Sequence, residues 1–133
     1  MKIPYSLVPS SSPMGKSMIS KTPLLKLGFK GYFVNCLIDT GAVISVMHSS
    51  YGEILGLEIK KGEPFVIKGI DNVNMPSYIH EIDFFIDKYK LKLRVAFSES
   101  FKFPFGLLGL EGFFDFFNVD FHQKEGFYEL EPN

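Results

Sequence analysis

Turn-forming residues divide this chain at short, recurring intervals, and that rhythm constrains the fold more than any other feature. After Thr22 and Pro23 come Gly28, Gly31, Gly41, Gly52, Gly56, Gly62, Gly69, Pro76, Gly106, Gly109, Gly112 and Gly126. Most segments between them are too short for ordinary helices and suit strands joined by tight turns. The chain is therefore expected to be mainly β. Gly28 to Gly31 predicts a hairpin turn leading into a strand over Tyr32 to Ile38. In Ile79 to Asp87 and Tyr89 to Phe97, the apolar residues Ile82, Phe84, Ile86 and Leu91, Leu93, Val95 occupy alternate positions, so these segments pair as a hairpin with one face in the core. Val119 and Phe121 face Phe127 and Leu130 across a turn at Gln123 to Gly126, closing the chain with another hairpin.

Two short helices are expected. Ser50 with Glu53 three residues later forms a capping box ahead of Ile54, Leu55 and Leu57, and Gly56 limits that helix to about two turns. A second begins near Glu111 and carries Phe113, Phe114, Phe116 and Phe117 at helical spacing. Only Ser10 to Lys16 reads as flexible.

Length and charge narrow the function classes. A chain of 133 residues forms one domain with one core, and residues 1–20 read as its N-terminal arm. With 14 Lys+Arg against 15 Asp+Glu and no basic run, the electrostatic footprint of a nucleic-acid or membrane-surface protein is missing. The apolar residues of Met1 to Met14 are broken by Pro4, Pro9 and Pro13, so no signal-peptide core forms, and Phe103 to Phe117 is too short to span a bilayer. A cytoplasmic location is the expectation. One cysteine and three scattered histidines give neither a disulfide nor a metal site, and no cofactor is implied. Cys36, within an apolar strand, reads as a buried inert thiol, and His48, His80 and His122 as hydrogen-bonding rather than catalytic groups. The 15 Phe with no Trp exceed what one small core needs and suggest a core plus a buried interface.

The chemistry concentrates in Leu37-Ile38-Asp39-Thr40-Gly41-Ala42, an apolar strand running directly into Asp, Thr and Gly. A carboxylate at the end of such a strand is penalised by desolvation unless it is hydrogen-bonded, and the Gly41 amide can supply that bond. Taken alone the tripeptide also reads as an ordinary strand-ending turn. A second signal changes the weighing: Leu107-Leu108-Gly109-Leu110, two apolar residues and a glycine far downstream.

Together these segments resemble the signature pair of the retropepsin group of aspartic proteases, specifically its small cellular, prokaryotic-like members, over roughly Lys21 to Leu130. The resemblance implies a closed, mostly antiparallel β-barrel. It implies that Asp39, Thr40 and Gly41 are catalytic and that Leu107 to Gly109 buttress their loop. It also implies a flap at Val66 to Asn72, so that Ala42, Gly69 and Ile70 would bind substrate, with Gly69 expected at a tip needing positive φ or close backbone approach. Retroviral members carry an acidic residue after the alanine and an arginine after the second glycine, where this chain has Val43 and Leu110, an ion pair replaced by an apolar contact.

Such a protease needs two carboxylates about 3 Å apart sharing one proton, and this chain has one motif. Half a dyad per chain implies a two-fold homodimer acting on a peptide or protein substrate, with Ile3 to Val8 and Phe127 to Leu130 as interface material. Two other readings remain open: an inactive dimerisation or peptide-binding module on the same fold, and a monomeric barrel with a chance Asp-Thr-Gly turn.

Overall fold

The computed structural model describes residues 1–69 and 72–133. Its strands, in chain order, are β1 (Lys2–Pro4), β2 (Ser6–Ser11), β3 (Ser17–Thr22), β4 (Leu24–Phe29), β5 (Tyr32–Ile38), β6 (Ser45–His48), β7 (Glu63–Lys68), β8 (Asn74–Ile86), β9 (Tyr89–Ser98), β10 (Gly106–Leu108), β11 (Phe117–His122) and β12 (Phe127–Pro132). The mainly β expectation holds, and the three anticipated hairpins form: Phe29 opposite Tyr32, Ile86 opposite Tyr89, and Val119 opposite Leu130. At the first, Lys30 and Gly31 both take positive φ (46° and 83°), the primed-turn geometry whose twist matches the flanking strands.

Seven strands form one sheet in the order β4-β5-β10-β6-β9-β8-β7, and β4 also meets β8 through the single pair Gly28–Phe85. Most pairings are antiparallel, as expected, with two exceptions. β10 runs parallel to β5, and β6 parallel to β9, so the sheet is mixed. Much of residues 1–20 is strand: β1 pairs with β12, and β2 pairs with β3 as a hairpin that takes in Ser10 and Ser11, while the rest of the segment expected to be flexible, residues 12–16, forms its turn.

The helical expectations shift more. α1 spans Ser49–Ile54, but Ser50 does not cap it; the His48 side chain does, accepting from the Ser50 amide at 3.1 Å. β6 ends at His48, which places the imidazole rather than a hydroxyl over the first free amides. A 3₁₀ turn follows over Ile59–Lys61. The expected second helix is only a kinked turn over Leu110–Phe114. Gly112 breaks it at φ 84°, and Phe117 joins β11 instead.

Two apolar clusters result. The larger contains Leu27, Phe84, Leu93, Phe97, Phe113, Phe117, Tyr128 and Leu130, and each such side chain contributes about 1.5–3 kcal/mol by leaving water. The Tyr128 hydroxyl donates to the Leu24 carbonyl at 2.7 Å, and burial pushes its pKa up. The smaller cluster, Ile44, Val46, Ile79, Ala96 and Phe101, lies on the other side of β8 and β9, with Ile67, Met75 and Leu107 packed against it. Among the described residues no helix is long and apolar enough to cross a membrane.

Candidate active site

β5 and β6 are consecutive in sequence but not neighbours in the sheet, because β10 lies between them. Leu107 and Leu108 pair with Leu37 and Ile38 on one side, and Leu107 pairs with Val46 on the other. The connection from Asp39 to Ile44 must therefore pass over the end of β10, which fixes its backbone closely. The Asp39 amide donates to the Leu108 carbonyl at 3.0 Å, and the Leu110 and Glu111 amides donate to the Ala42 and Val43 carbonyls at 2.8 Å each. The Gly109 amide donates to the buried Ser45 hydroxyl at 3.1 Å. Leu107 to Gly109 thus lie directly against the Asp39 loop, as the resemblance implied.

On that loop the Gly41 amide donates to Asp39 Oδ1 at 2.8 Å, the charge-assisted bond anticipated for a carboxylate at the end of an apolar strand. Asp39 and Ala42 are half-buried, while Thr40 and Gly41 are exposed beside them. Val43 is 71% exposed and Leu110 42%, so these two residues do not replace a family ion pair by burying against each other; the backbone bonds from Leu110 and Glu111 hold the loop instead.

A groove of about 400 Å³ opens in front of this loop. Asp39, Gly41, Ala42 and Val43 form one wall; Phe65, Ile67, Lys68 and Gly69 form the other; Val46, Met75, Phe101 and Leu107 contribute to the floor. The structure thus brings Asp39, Gly41, Ala42 and Gly69 together on one groove. Ile70 falls outside the described residues. Gly69 closes the turn from β7 to β8, its amide donating to the Val73 carbonyl at 2.9 Å, but it lies outside the left-handed region. Positive φ falls at Asn72 instead, at 56°.

Of the lining, the sequence segments singled out include Asp39, Gly41, Ala42, Ile67, Lys68, Gly69 and Leu107, but not Phe65, Val46, Met75 or Phe101. The alternation Phe65, Ile67, Gly69 marks one face of β7 and was available as a signal, but nothing local identifies Val46, Met75 or Phe101. A cavity of about 590 Å³ lies between α1, the Ile59–Lys61 turn and β8, and it shares no residue with the groove at Asp39.

The histidines are accounted for by structure. Beyond the cap at His48, His80 Nε2 donates to the Ile59 carbonyl at 2.9 Å, and His122 lies 3.0 Å from Asp120 and stacks on Phe127. Cys36 is buried with its pKa pushed up, which keeps it a neutral thiol. No group of residues suited to holding a metal ion occurs among the described residues.

No protein-family model and no curated protein sequence matches this chain. Among solved structures, a retropepsin-like aspartic protease from Rickettsia conorii superimposes with a TM-score of 0.65 at 12% identity, covering 96% of this chain and 95% of that one. The EIAV protease in complex with the inhibitor HBY-793 gives a TM-score of 0.53 at 19% identity, covering 75% of this chain and 88% of that one.

Proposed function

We propose that this chain, which has the retropepsin-like fold, is an aspartic endopeptidase whose active site is completed by a second copy of itself. The observation that carries the reading is the groove that sets a hydrogen-bonded aspartate opposite the β7–β8 hairpin. One wall offers a carboxylate able to act on a water molecule, and the other offers strand backbone and the apolar side chains Phe65 and Ile67, which suit an extended peptide. A single carboxylate cannot divide the work of base and acid. Two Asp39 residues across a two-fold axis can, since like charges so close share one proton: the ionised member activates water and the protonated member polarises the scissile carbonyl.

In this reading Asp39 is the reacting group and Gly41 orients it. Thr40, exposed beside it, reaches the partner's main chain, and Ala42 and Gly69 contact substrate, with Ile70 next to Gly69 in sequence. Residues 1–20 belong to the same domain and contribute to the contact between protomers. Support for that contact comes from the exposed Leu7 and Ile19 on the β2–β3 hairpin, at 68% and 71%. No metal or cofactor takes part.

The test is to unfold and refold mixtures of wild-type and Asp39→Asn chains and to measure peptide cleavage. Asn has the same shape but cannot act as the base, so the mutant should fold with stability equal to or above wild type and show no turnover. Because each site takes one carboxylate from each protomer, activity should fall as the square of the wild-type fraction, to about one quarter at equal amounts. A linear fall to about one half places a complete site in each chain and ends the shared-dyad reading. Wild-type dimers that cleave nothing would leave a binding module on this fold.

A further inference from the structure

Arg94 on β9 lies between two carboxylates: Nη1 donates to Glu111 Oε1 at 2.9 Å, and Nη2 donates to Glu63 Oε2 at 3.2 Å. Neither acid lines the groove, but each is tied to one of its walls. Glu111 sits in the turn after Gly109, and its amide holds the Val43 carbonyl of the Asp39 loop. Glu63 is the first residue of β7, the strand that brings Phe65 and Ile67 to the groove. Alternation along β9 sends Leu93 and Val95 into the larger core and leaves Arg94 on the face of Ala96, at the margin of the smaller cluster beneath the groove. The Glu111 contact is the tighter one. It is shorter and less exposed, and it does more than Glu63 to raise the guanidinium pKa.

We propose that Arg94 is a positioning residue that sets the separation between the Asp39 loop and the flap strand, and so the width of the groove. Its effect on turnover rests on the peptidase reading; its effect on the two walls does not. Both ion pairs are partly solvated, so they contribute little to global stability, and what they supply is geometry. A planar fork with two donor directions can hold two carboxylates at once in a way that a single ammonium cannot. Binding and orientation of an extended substrate are sensitive to small displacements of either wall, which makes a weak bridge consequential there.

The experiment compares wild type, Arg94→Gln, Arg94→Lys and Glu63→Gln by amide hydrogen exchange and, on the same samples, by peptide cleavage. Arg94→Gln should speed exchange at the Leu110 and Glu111 amides and along β7 while leaving the Leu93 and Val95 amides unchanged. Its kcat/KM should fall about fivefold, more through KM than kcat, and it should lose the salt sensitivity of the wild type. Arg94→Lys should recover the Glu111 side only. Glu63→Gln, which cuts only the flap contact, should loosen β7 and leave Leu110 and Glu111 protected. Unchanged exchange at both walls, or acceleration that includes Leu93 and Val95, would overturn the proposal. Wild type that cleaves no peptide would end the peptidase reading, while the exchange pattern still decides on the bridge.

Discussion

A methyl group added at Gly109 would stand 2.7 Å from the Ala42 carbonyl oxygen and 2.7 Å from the Ile44 carbonyl carbon, whereas one added at Gly69 would meet only the Val73 carbonyl oxygen at 3.4 Å. Both glycines serve the same groove, one supporting its Asp39 wall and the other ending its β7 wall. The first wall is fixed by backbone against backbone, with no side chain free to yield. The second is a hairpin that packs Ile67 and Met75 on the smaller cluster but leaves Phe65 at 41% and Val66 at 51% exposed. Position is therefore built into the wall that holds Asp39, and exposed apolar area is kept on the wall that faces it.

The sharpest way to break this contrast is Gly109→Ala. Because the obstructing atoms are backbone, the variant should lose about 3 kcal/mol, the upper end of what overpacking costs, read as a lower urea midpoint with unchanged slope. A loss under about 0.5 kcal/mol would show that the loop over β10 can yield, and the two walls would then be alike.

Cys36 tests the same wall from beneath. A Cβ on Gly106 would lie 2.8 Å from its sulfur, and Cys36 pairs with Gly106 across β5 and β10. Burial raises the thiol pKa in the folded state, so above about pH 8.5 the unfolded chain releases this proton while the folded chain keeps it. Stability should therefore be lost as pH rises past that value, by about 2 kcal/mol at pH 10, and Cys36→Ala should remove that slope. Denaturation midpoints from pH 7 to 10 measure it. A wild-type slope matching the variant's would mean that the thiol ionises in place and that the wall is open to water.

The smallest effect on folding is expected at Gly69→Val. With no positive φ to satisfy and only an ordinary contact to meet, the variant should stay within about 0.5 kcal/mol of wild type in thermal melts, while peptide cleavage weakens because the new side chain stands at the groove. Equal loss of stability and turnover would mean that the β7 wall is held as tightly as the other.

The same contrast explains what was legible in the sequence. Asp39 to Ala42 and Leu107 to Gly109 could be recognised because a tight turn and a backbone contact admit few residue types, so the constraint is written locally. Phe101, Met75 and Val46 meet at the groove only through the order of strands, and no local pattern encodes that. The turn at Leu110–Phe114 was misread because Phe113, Phe114, Phe116 and Phe117 do carry helical spacing. A Cβ at Gly112 would sit 2.8 Å from Leu93 Cδ2, and pairing with β12 draws Phe117 into a strand, so tertiary contacts override the period. At α1, Ser50 and Glu53 form a valid signature, but β6 ends at His48 and the helix begins at Ser49, so Ser50 already lies inside it.

The insertion of β10 between β5 and β6 also sets an order of events during synthesis. Asp39 leaves the ribosome early, yet the strand against which its loop is shaped includes Leu108, and the bond from Gly109 to Ser45 spans 64 residues. Until that late segment arrives, the loop has no β10 to pass over and the Gly41-held carboxylate has no groove floor. On the peptidase reading, a nascent chain that already displays Asp-Thr-Gly thus lacks its formed site until β10 has been made.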